Sequence, residues 1–246
     1  MTYLFSRANR RVFDDLADAD VLLAFDFDGT MAPLRNEPDR AALRSSTREL
    51  LRRACRLYPC VIVSGRARAD VERRLRGVGI RLVVGNHGAE LHADQASVRR
   101  RVGQWLSVLK THLPPNVEVT IENKDLSIAL HYRHARDTRA ARRAILTAVR
   151  SLPGVRVVGG ALAVNLLLRD APHKGKAVEA LRARLRCDRV VYVGDDATDE
   201  DAFGQGPPSR LISIRVGRSR NSAATYYIRE QREIDRLLQA LVARRS

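Results

Sequence analysis

The amino-acid sequence predicts an α/β fold in which a parallel-sheet core is interrupted by a separate α+β module. Apolar strand-like segments alternate with helical segments up to about Glu90 and again from about Gly175, which is typical of parallel strands joined by crossover helices. Between these regions, adjacent strand-like segments are joined by short turns, which favours antiparallel pairing. Polar motifs directly follow several core strands, at the edge where an open parallel sheet collects its functional groups.

The core is predicted in two blocks, 1–97 and 170–246. The first block contains strands at 21–27, 60–63 and 81–85 and helices at 46–57 and 68–76. The second block contains a helix at 175–185, a strand at 189–194, an acidic turn at 195–203, a strand at 211–217 and a closing helix at 232–245. Each strand is an apolar run that ends at glycine or at polar residues.

The inserted module is predicted over 98–169. It contains an amphipathic helix from about Arg99 through 113, a turn at 114–116, strands at 117–123 and 126–133, a helix at 138–152 and two short strands at 155–160 and 161–168. Because these strands follow one another without crossover helices, we expect a sheet of its own for this module.

Composition limits the class of protein. The 246 residues are 45% hydrophobic, which is enough for a large core. No segment has the apolar length of a membrane span, and the first residues lack the apolar centre of a secretory signal, so we expect a cytoplasmic protein. The three cysteines, Cys55, Cys60 and Cys187, are expected to be reduced thiols because their spacing fits no metal site.

The chain is strongly basic, with a net charge of +16 carried by 40 arginines and only four lysines. Such a charge favours anionic partners, either phosphorylated metabolites or nucleic acid. The arginines are spread along helical segments and aromatic residues make up only 5% of the chain, so we interpret most of them as solvated helix faces. The few lysines are candidates for function, because arginine cannot replace a compact ammonium at a tight phosphate site.

Two carboxylates, Asp26 and Asp28, follow the apolar segment that begins at Val21. Because side chains alternate along a strand, both point to one side while Phe27 points to the other. Two carboxylates this close are stable only if a cation lies between them or one carries a proton. With Mg²⁺, one carboxylate can attack phosphorus while its neighbour moves a proton. The alternative is a strand that ends in an ordinary polar turn.

Two further motifs favour phosphate binding. Ser64, Gly65 and Arg66 follow the strand at 60–63, where a hydroxyl and nearby amides can hold a phosphate oxygen, although serine-glycine turns are also common. Lys174 stands at the start of a predicted helix, where the positive end of the helix dipole is unfavourable for lysine unless an anion is close. The alternative for Lys174 is a solvated surface residue.

A dense acidic cluster follows the strand at 189–194. Asp195, Asp196 and Asp199 lie within five positions of a basic chain, and hard oxygen ligands at this density indicate Mg²⁺. Glu200 and Asp201 are also explained as the acidic first turn of a helix.

Taken together, these motifs resemble those of the haloacid dehalogenase superfamily of phosphotransferases. The resemblance implies a Rossmann-like core, and the place of the insert resembles that superfamily's C2-type cap. The segments LAFDFDGTMAPL, VIVSGR, GNHGAEL, ENKDLSIALHYR and VYVGDDATDEDAF resemble trehalose-6-phosphate phosphatases more specifically, from about Val21 to Gly217. That family hydrolyses trehalose 6-phosphate with Mg²⁺.

The resemblance implies a role for each motif residue of the core. Asp26 is the nucleophile, which becomes an aspartyl phosphate, and Asp28 is the general acid and then the base. Thr30, Ser64, Gly65 and Lys174 bind the phosphoryl group. Mg²⁺ is held by Asp26, the main-chain carbonyl of Asp28 and Asp195, with support from Asp196 and Asp199.

The resemblance also implies residues that contact the sugar. In the insert these are Glu122, Lys124 and Arg133, and in the core they are Arg66, Asn86 and His87. A structural role in a turn is the alternative for His87. Asn165 departs from the family, which usually has glutamate there, and asparagine brings hydrogen-bonding capacity without charge.

Three hypotheses follow. The first is a Mg²⁺-dependent trehalose-6-phosphate phosphatase, and the second is a related phosphatase for another sugar phosphate, such as a trehalose analogue, sucrose phosphate or mannosylphosphoglycerate. The third, ranked lower, is an arginine-rich nucleic-acid-binding protein on the same fold. We expect a monomer that binds a small sugar phosphate and neither membrane nor nucleic acid.

Overall fold

The first of two structural units is built on a parallel sheet. The computed structural model describes residues 1–16, 19–35, 37–114, 117–160 and 162–245. The first unit comprises 1–88 and 173–246, and the second unit comprises 89–172. The predicted insert, 98–169, lies within the second unit. No helix in the described ranges is both long and apolar enough to span a membrane.

In the first unit, strands and helices alternate along the chain, except that two strands follow one another before the last helix. Its strands are β1 (Thr2–Tyr3), β2 (Val21–Phe25), β3 (Cys60–Val63), β4 (Leu82–Val84), β9 (Arg189–Gly194), β10 (Leu211–Val216) and β11 (Tyr226–Ile228). Its helices are α1 (Arg11–Asp14), α2 (Ser45–Leu57), α3 (Arg68–Arg74), α6 (Lys174–Arg184), α7 (Glu200–Phe203) and α8 (Ile234–Val242). The strand order is β1-β11-β10-β9-β2-β3-β4, and every pairing is parallel.

The central strand β2 is where the chain changes direction across this sheet. It pairs with β3 on one side and with β9 on the other, and Phe25 aligns with both Ile62 and Val193. The carboxyl ends of the three strands therefore lie at one edge. In open α/β sheets, ligands bind outside the strand ends at such a switch point.

Strand β2 is buried on both faces, which explains its continuous apolar sequence. Leu23 and Phe25 pack in a cluster that includes residues of α2 and α8, such as Leu51 and Leu238. Leu22 and Ala24 point to the other face and pack in a cluster that includes residues of α6 and α7. The unit therefore has three layers, with the sheet between two layers of helices, and this packing holds the strand ends in place.

The second unit is a two-layer α+β arrangement. Its elements are α4 (Gln95–His112), β5 (Thr120–Asn123), β6 (Ile128–His131), α5 (Thr138–Val149), β7 (Val155–Gly160) and β8 (Ala163–Leu168), and its sheet has the order β5-β6-β8-β7 with antiparallel pairing throughout. Ile128 and Leu166, which face one another across two strands, pack in one core with Trp105 of α4 and Ile145 of α5.

Several element limits differ from the sequence-based prediction. Helix α4 begins at Gln95 and not at about Arg99, because Asp94 caps it by accepting a hydrogen bond from the Ser97 amide at 2.9 Å. The closing helix is shorter than predicted, since 231–233 form a 3₁₀ turn before α8. Positions 115–116 of the predicted turn and Ala161 of the last predicted strand lie outside the described residues. The edge strand β1 and its neighbour β11 were not predicted.

Truncation of a core side chain in the second unit should destabilise that unit measurably. Ile145→Ala removes a fully buried side chain, so we expect the free energy of unfolding to fall by about 2–5 kcal/mol. Trp105 is the single tryptophan of the chain and is buried in the same core, so its fluorescence during urea unfolding reports on this unit. Arg142→Ala, exposed on the same helix, is the control, and equal effects of the two variants would contradict this packing.

Candidate active site

The predicted motif residues of the core lie at the carboxyl edge of the parallel sheet. Asp26 follows β2 directly, and its amide donates to the Val193 carbonyl at 2.9 Å, which continues the pairing with β9. Ser64 follows β3, and its amide donates to the Val84 carbonyl at 2.9 Å. Asp195 follows β9. Backbone pairing alone thus places these side chains at the switch point.

Lys174 forms a buried ion-pair cluster at this edge. Its side chain is 2% exposed, and its Nζ donates to Asp26 Oδ1 at 2.9 Å and to Asp199 Oδ1 at 2.7 Å. Burial lowers the pKa of the Lys174 ammonium, but the carboxylates of Asp199 and Asp26 outweigh burial and raise the pKa well above its usual range. Lys174 is therefore a charged interior residue and not a solvated surface lysine.

Three carboxylates lie close to one another at this edge. Asp26, Asp195 and Asp199 each contribute an oxygen to a group whose members lie within 4.8 Å of one another, in the part of the chain that the structure describes. Burial raises the pKa of Asp26 well above its usual range; Lys174 opposes this shift, while Asp199 and Asp195 reinforce it. Burial, with Asp199 and Asp196, also raises the pKa of Asp195 to about 7. Like charges at this distance create a place for a cation.

Asp199 organises the cluster through four hydrogen bonds. Its Oδ1 accepts from Lys174 Nζ and from the Tyr192 hydroxyl at 2.6 Å, and its Oδ2 accepts from the amides of Asp195 at 2.8 Å and Asp196 at 3.0 Å. These donors use the acceptor capacity of a carboxylate. Asp199 therefore orients Lys174 and the loop after β9, whereas Asp26 and Asp195 present carboxylates to each other.

Asp196 has a different position from its neighbour Asp195. Its Oδ1 accepts from the Thr198 amide at 2.8 Å and from the Thr198 hydroxyl at 2.6 Å. Burial would raise its pKa, but the Lys174 charge and the Thr198 hydrogen bonds lower the pKa to about 2. Asp196 therefore stays ionised and fixes the turn before α7.

The turn after Asp28 closes around Asp195. Gly29 has φ +79°, and a Cβ atom built on it would lie 2.1 Å from Asp195 Oδ2, so glycine is required twice over. The Thr30 hydroxyl donates to Asp195 Oδ1 at 3.1 Å, and the Thr30 side chain is fully buried. Thr30, predicted to bind phosphate, contacts Asp195 in the structure and thus supports the acidic group.

Asp28 is held by an arginine from the neighbouring strand's loop. Arg66 Nε and Nη2 donate to the two oxygens of Asp28 at 2.6 and 2.8 Å, and Arg66 Nη1 donates to Asp70 at 2.8 Å. Burial lowers the pKa of the Arg66 guanidinium, but the hydrogen bonds and charges of Asp28 and Asp70 outweigh burial and raise it. Arg66 was predicted as a substrate contact, and the structure directs its guanidinium to carboxylates of the protein itself.

Asn86 and His87 form a turn that packs under Ser64 and Gly65. Both have positive φ, 51° and 55°, and the His87 amide donates to the Ser64 carbonyl at 2.9 Å. A Cβ atom on Gly65 would lie 2.5 Å from the His87 ring. Asn86 and His87 are buried, as is Ser64, so this turn fixes the backbone of the serine loop, in keeping with the structural alternative for His87.

Two contributors at this edge were not predicted. Tyr192 interrupts a run of valines in β9. Its hydroxyl in an otherwise apolar strand was the feature of the sequence that could have identified it. Gln231 donates from Nε2 to the carbonyls of Thr30 at 2.9 Å and Met31 at 3.0 Å, and so ties down the turn after Asp28. No local pattern marks Gln231, because its partners are about 200 positions away.

The predicted sugar-contacting residues of the insert belong to the second unit. Strand register aligns Glu122 with Ala129 and Ala129 with Asn165, so Glu122 and Asn165 share one face of the four-stranded sheet. Glu122 accepts from His131 Nε2 at 2.8 Å and lies 3.8 Å from Lys124 Nζ. Arg133 lies two positions beyond β6 and is partly exposed. This polar face is opposite the face that packs on α4 and α5.

The fold of the chain is similar to that of haloacid dehalogenase-like proteins. A haloacid dehalogenase-like hydrolase from B. subtilis superposes with a TM-score of 0.61 at 16% identity, over 89% of this chain and 98% of that chain. The C-terminal domain of C. albicans trehalose-6-phosphate phosphatase superposes with a TM-score of 0.75 at 20% identity, over 99% of this chain and 98% of that chain.

The chain belongs to the trehalose-phosphatase family, whose model matches residues 24–231. It is 34% identical over 222 residues to a trehalose-phosphate phosphatase of Mycolicibacterium paratuberculosis, which covers 82% of this chain and 56% of the relative. It is also 33% identical over 197 residues to an uncharacterized glycosyl hydrolase of Mycobacterium tuberculosis, which covers 72% of this chain. The chain spans only 15% of the length of that relative.

Substitution of Gly29 should separate backbone strain from collision with Asp195. Gly77 has the same backbone conformation, φ +80°, with nothing within 4 Å of an added Cβ, so it is a matched control. We expect Gly77→Ala to lower the free energy of unfolding by about 1–2 kcal/mol. Gly29→Ala should cost a further 1–3 kcal/mol or so, because Asp195 must move. Calorimetric unfolding measures both, and equal costs would contradict the close approach of Asp195.

Proposed function

We propose that this protein is a Mg²⁺-dependent phosphatase that hydrolyses trehalose 6-phosphate to trehalose and phosphate. The observation that carries the proposal is the environment of Asp26, a buried carboxylate at the switch point that pairs with Lys174 and faces Asp195. An anionic nucleophile, a compact cation and a second carboxylate within a few ångströms are the groups that phosphoryl transfer requires. Membership of the trehalose-phosphatase family supports the choice of sugar.

The donor set fits a magnesium ion. Its side chains are hard oxygen donors. Burial first, and neighbouring carboxylates second, raise the pKa values of Asp26 and Asp195, and a divalent cation would stabilise their ionised forms. Asp26, Asp195 and the main-chain carbonyl of Asp28 would hold the ion. Asp196 and Asp199 would support it from their hydrogen-bonded positions. When bound, the ion would mask phosphoryl charge during attack.

The chain's own residues supply the remaining chemistry in two steps. In the first, an Asp26 oxygen attacks phosphorus, the bond from phosphorus to the sugar oxygen breaks, and Asp28 gives its proton to that oxygen. In the second, water attacks the phosphorus of the aspartyl phosphate, Asp28 accepts a proton from the water, and the bond to Asp26 breaks to release phosphate. Ser64, Gly65 and Lys174 hold the equatorial phosphoryl oxygens.

Other assignments in this proposal rest on the family resemblance. Residues 1–97 and 170–246 form the catalytic core, and 98–169 form the cap. Glu122, Lys124 and Arg133 contact sugar hydroxyls. Asn86 and His87 contribute through the serine loop that they support, and Thr30 contributes through Asp195.

Asn165 favours a second candidate within the same chemistry, a phosphatase for another sugar phosphate. This residue is buried in β8 and stands where the family usually has glutamate. A neutral amide both donates and accepts hydrogen bonds, whereas a carboxylate only accepts, so the pattern of sugar hydroxyls that it recognises differs. A trehalose analogue, sucrose phosphate and mannosylphosphoglycerate are the alternatives to test.

Phosphate release from a panel of these sugar phosphates tests the proposal. We expect release from trehalose 6-phosphate that EDTA abolishes and Mg²⁺ restores. Asp26→Asn should lower the rate by roughly 10⁴-fold or more, because it removes the nucleophile. Asp201→Asn, an exposed acidic residue nearby, is the control and should retain activity. Faster release from another sugar would replace the substrate; no release, with tight binding of nucleic acid by wild type and Asp26→Asn alike, would favour the nucleic-acid-binding hypothesis.

Removal of the Asn165 amide should weaken sugar binding without affecting the phosphoryl site. For Asn165→Ala we expect KM for the preferred sugar phosphate to rise about tenfold, the value of one hydrogen bond of roughly 1.4 kcal/mol. The rate with p-nitrophenyl phosphate, which has no sugar, should stay unchanged. Gln104→Ala, exposed on α4, is the control. An unchanged KM would show that Asn165 does not contact the sugar.

A further inference from the structure

We infer that Arg66 is a positioning residue that fixes the orientation of the Asp28 carboxylate for proton transfer to the leaving sugar oxygen and from the hydrolytic water. The inference rests on the proposed function and adds a residue to it. It comes from the geometry of one ion pair and of the groups that hold its arginine in place.

The contact between Arg66 and Asp28 is bidentate. Nε and Nη2 reach different oxygens of the same carboxylate, at 2.6 and 2.8 Å. Two parallel hydrogen bonds from a planar guanidinium define the plane of the carboxylate as well as its position. Each oxygen keeps a second lone-pair direction, so Asp28 can still exchange a proton with a group outside the pair. Lysine, with a single nitrogen, cannot impose this plane.

Arg66 is itself held from several directions. Its Nη1 donates to Asp70 of α3 at 2.8 Å, and its guanidinium lies 5.7 Å from the centre of the Phe27 ring. Its amide donates to Ser64 Oγ at 3.1 Å, and its carbonyl accepts from the Asn86 amide at 2.8 Å. The Arg66 side chain is only 12% exposed, so its contact with Asp28 is a fixed part of the fold and not a surface ion pair.

The consequence depends on the leaving group. When the bond from phosphorus to a sugar oxygen breaks, the departing alkoxide needs the proton of Asp28. When p-nitrophenol leaves, its phenolate is stable and needs none. A residue that orients Asp28 therefore matters for the first step with the sugar phosphate and little for the first step with p-nitrophenyl phosphate, whereas a residue that merely stabilises the fold affects both first steps equally. The second step, in which Asp28 accepts a proton from water, is common to both substrates, so the first step is measured by itself. Positioned proton transfer contributes 10²–10⁴-fold or thereabouts.

The experiment compares Arg66→Met with wild type on the sugar phosphate that the panel identifies and on p-nitrophenyl phosphate. We expect the rate of the first step, measured in a single turnover as release of the sugar or of p-nitrophenol, to fall by about 100-fold for the sugar phosphate and to stay within about threefold of wild type for p-nitrophenyl phosphate. KM for the sugar phosphate should change little. Because both substrates report on the same enzyme sample, partial unfolding cancels from the ratio.

Two further variants complete the test. Arg66→Lys restores the charge without the fork and should lie between wild type and Arg66→Met in this ratio, and it replaces Arg66→Met if that variant does not fold. Arg73→Met is the matched control, because Arg73 also contacts Asp70 but not Asp28, and its ratio should equal that of wild type. Equal losses on both substrates, or no loss, would overturn the inference. Wild type inactive on both substrates would instead overturn the proposed function.

Discussion

The ion pairs of the buried Lys174 ammonium hold together the acidic group at the carboxyl edge of the sheet. The ammonium stands between Asp26 and Asp199, at the start of α6, where the dipole of the helix opposes it. Four aspartates surround the same small volume, and a buried carboxylate without a partner costs several kcal/mol or so. Lys174 therefore makes the acidic group compatible with a folded core. It also ties the strand of the proposed nucleophile to the loop after β9.

Close approach of the backbone is the second requirement, and around the acidic group glycine provides it at Gly29 and Gly194. Gly29 lets the turn after β2 meet Asp195, and a Cβ atom on Gly194 would lie 2.2 Å from the Asp199 carboxyl carbon. Thr30, Tyr192 and the loop amides then direct these carboxylates by hydrogen bonds. Contacts within the protein thus preorganise these carboxylates. Proton and phosphoryl transfer require such preorganisation.

The fold class and the residues at the strand ends could be predicted from the sequence because both depend on short-range order. Buried strands are continuous apolar runs, and parallel pairing brings their ends to one edge. The Asp28–Arg66 pair and the role of Gln231 could not be predicted, since each joins segments that are far apart in the chain. Strands of two or three residues, such as β1 and β11, carry too little pattern to recognise. The start of α4 was predicted about four residues late because its first turn has only one buried apolar residue, Val98.

The order of strands has a consequence for how the chain folds as it is synthesised. β2 pairs with β3 about 37 positions later, but its other neighbour, β9, follows only after the whole second unit, with Leu23 opposite Val191. Until β9 is made, β2 has an open apolar edge, and contacts of this sequence separation form slowly. A nascent chain therefore exposes the apolar edge of β2 while the insert emerges, and the strand of the proposed nucleophile gains its second neighbour only after the insert has been made.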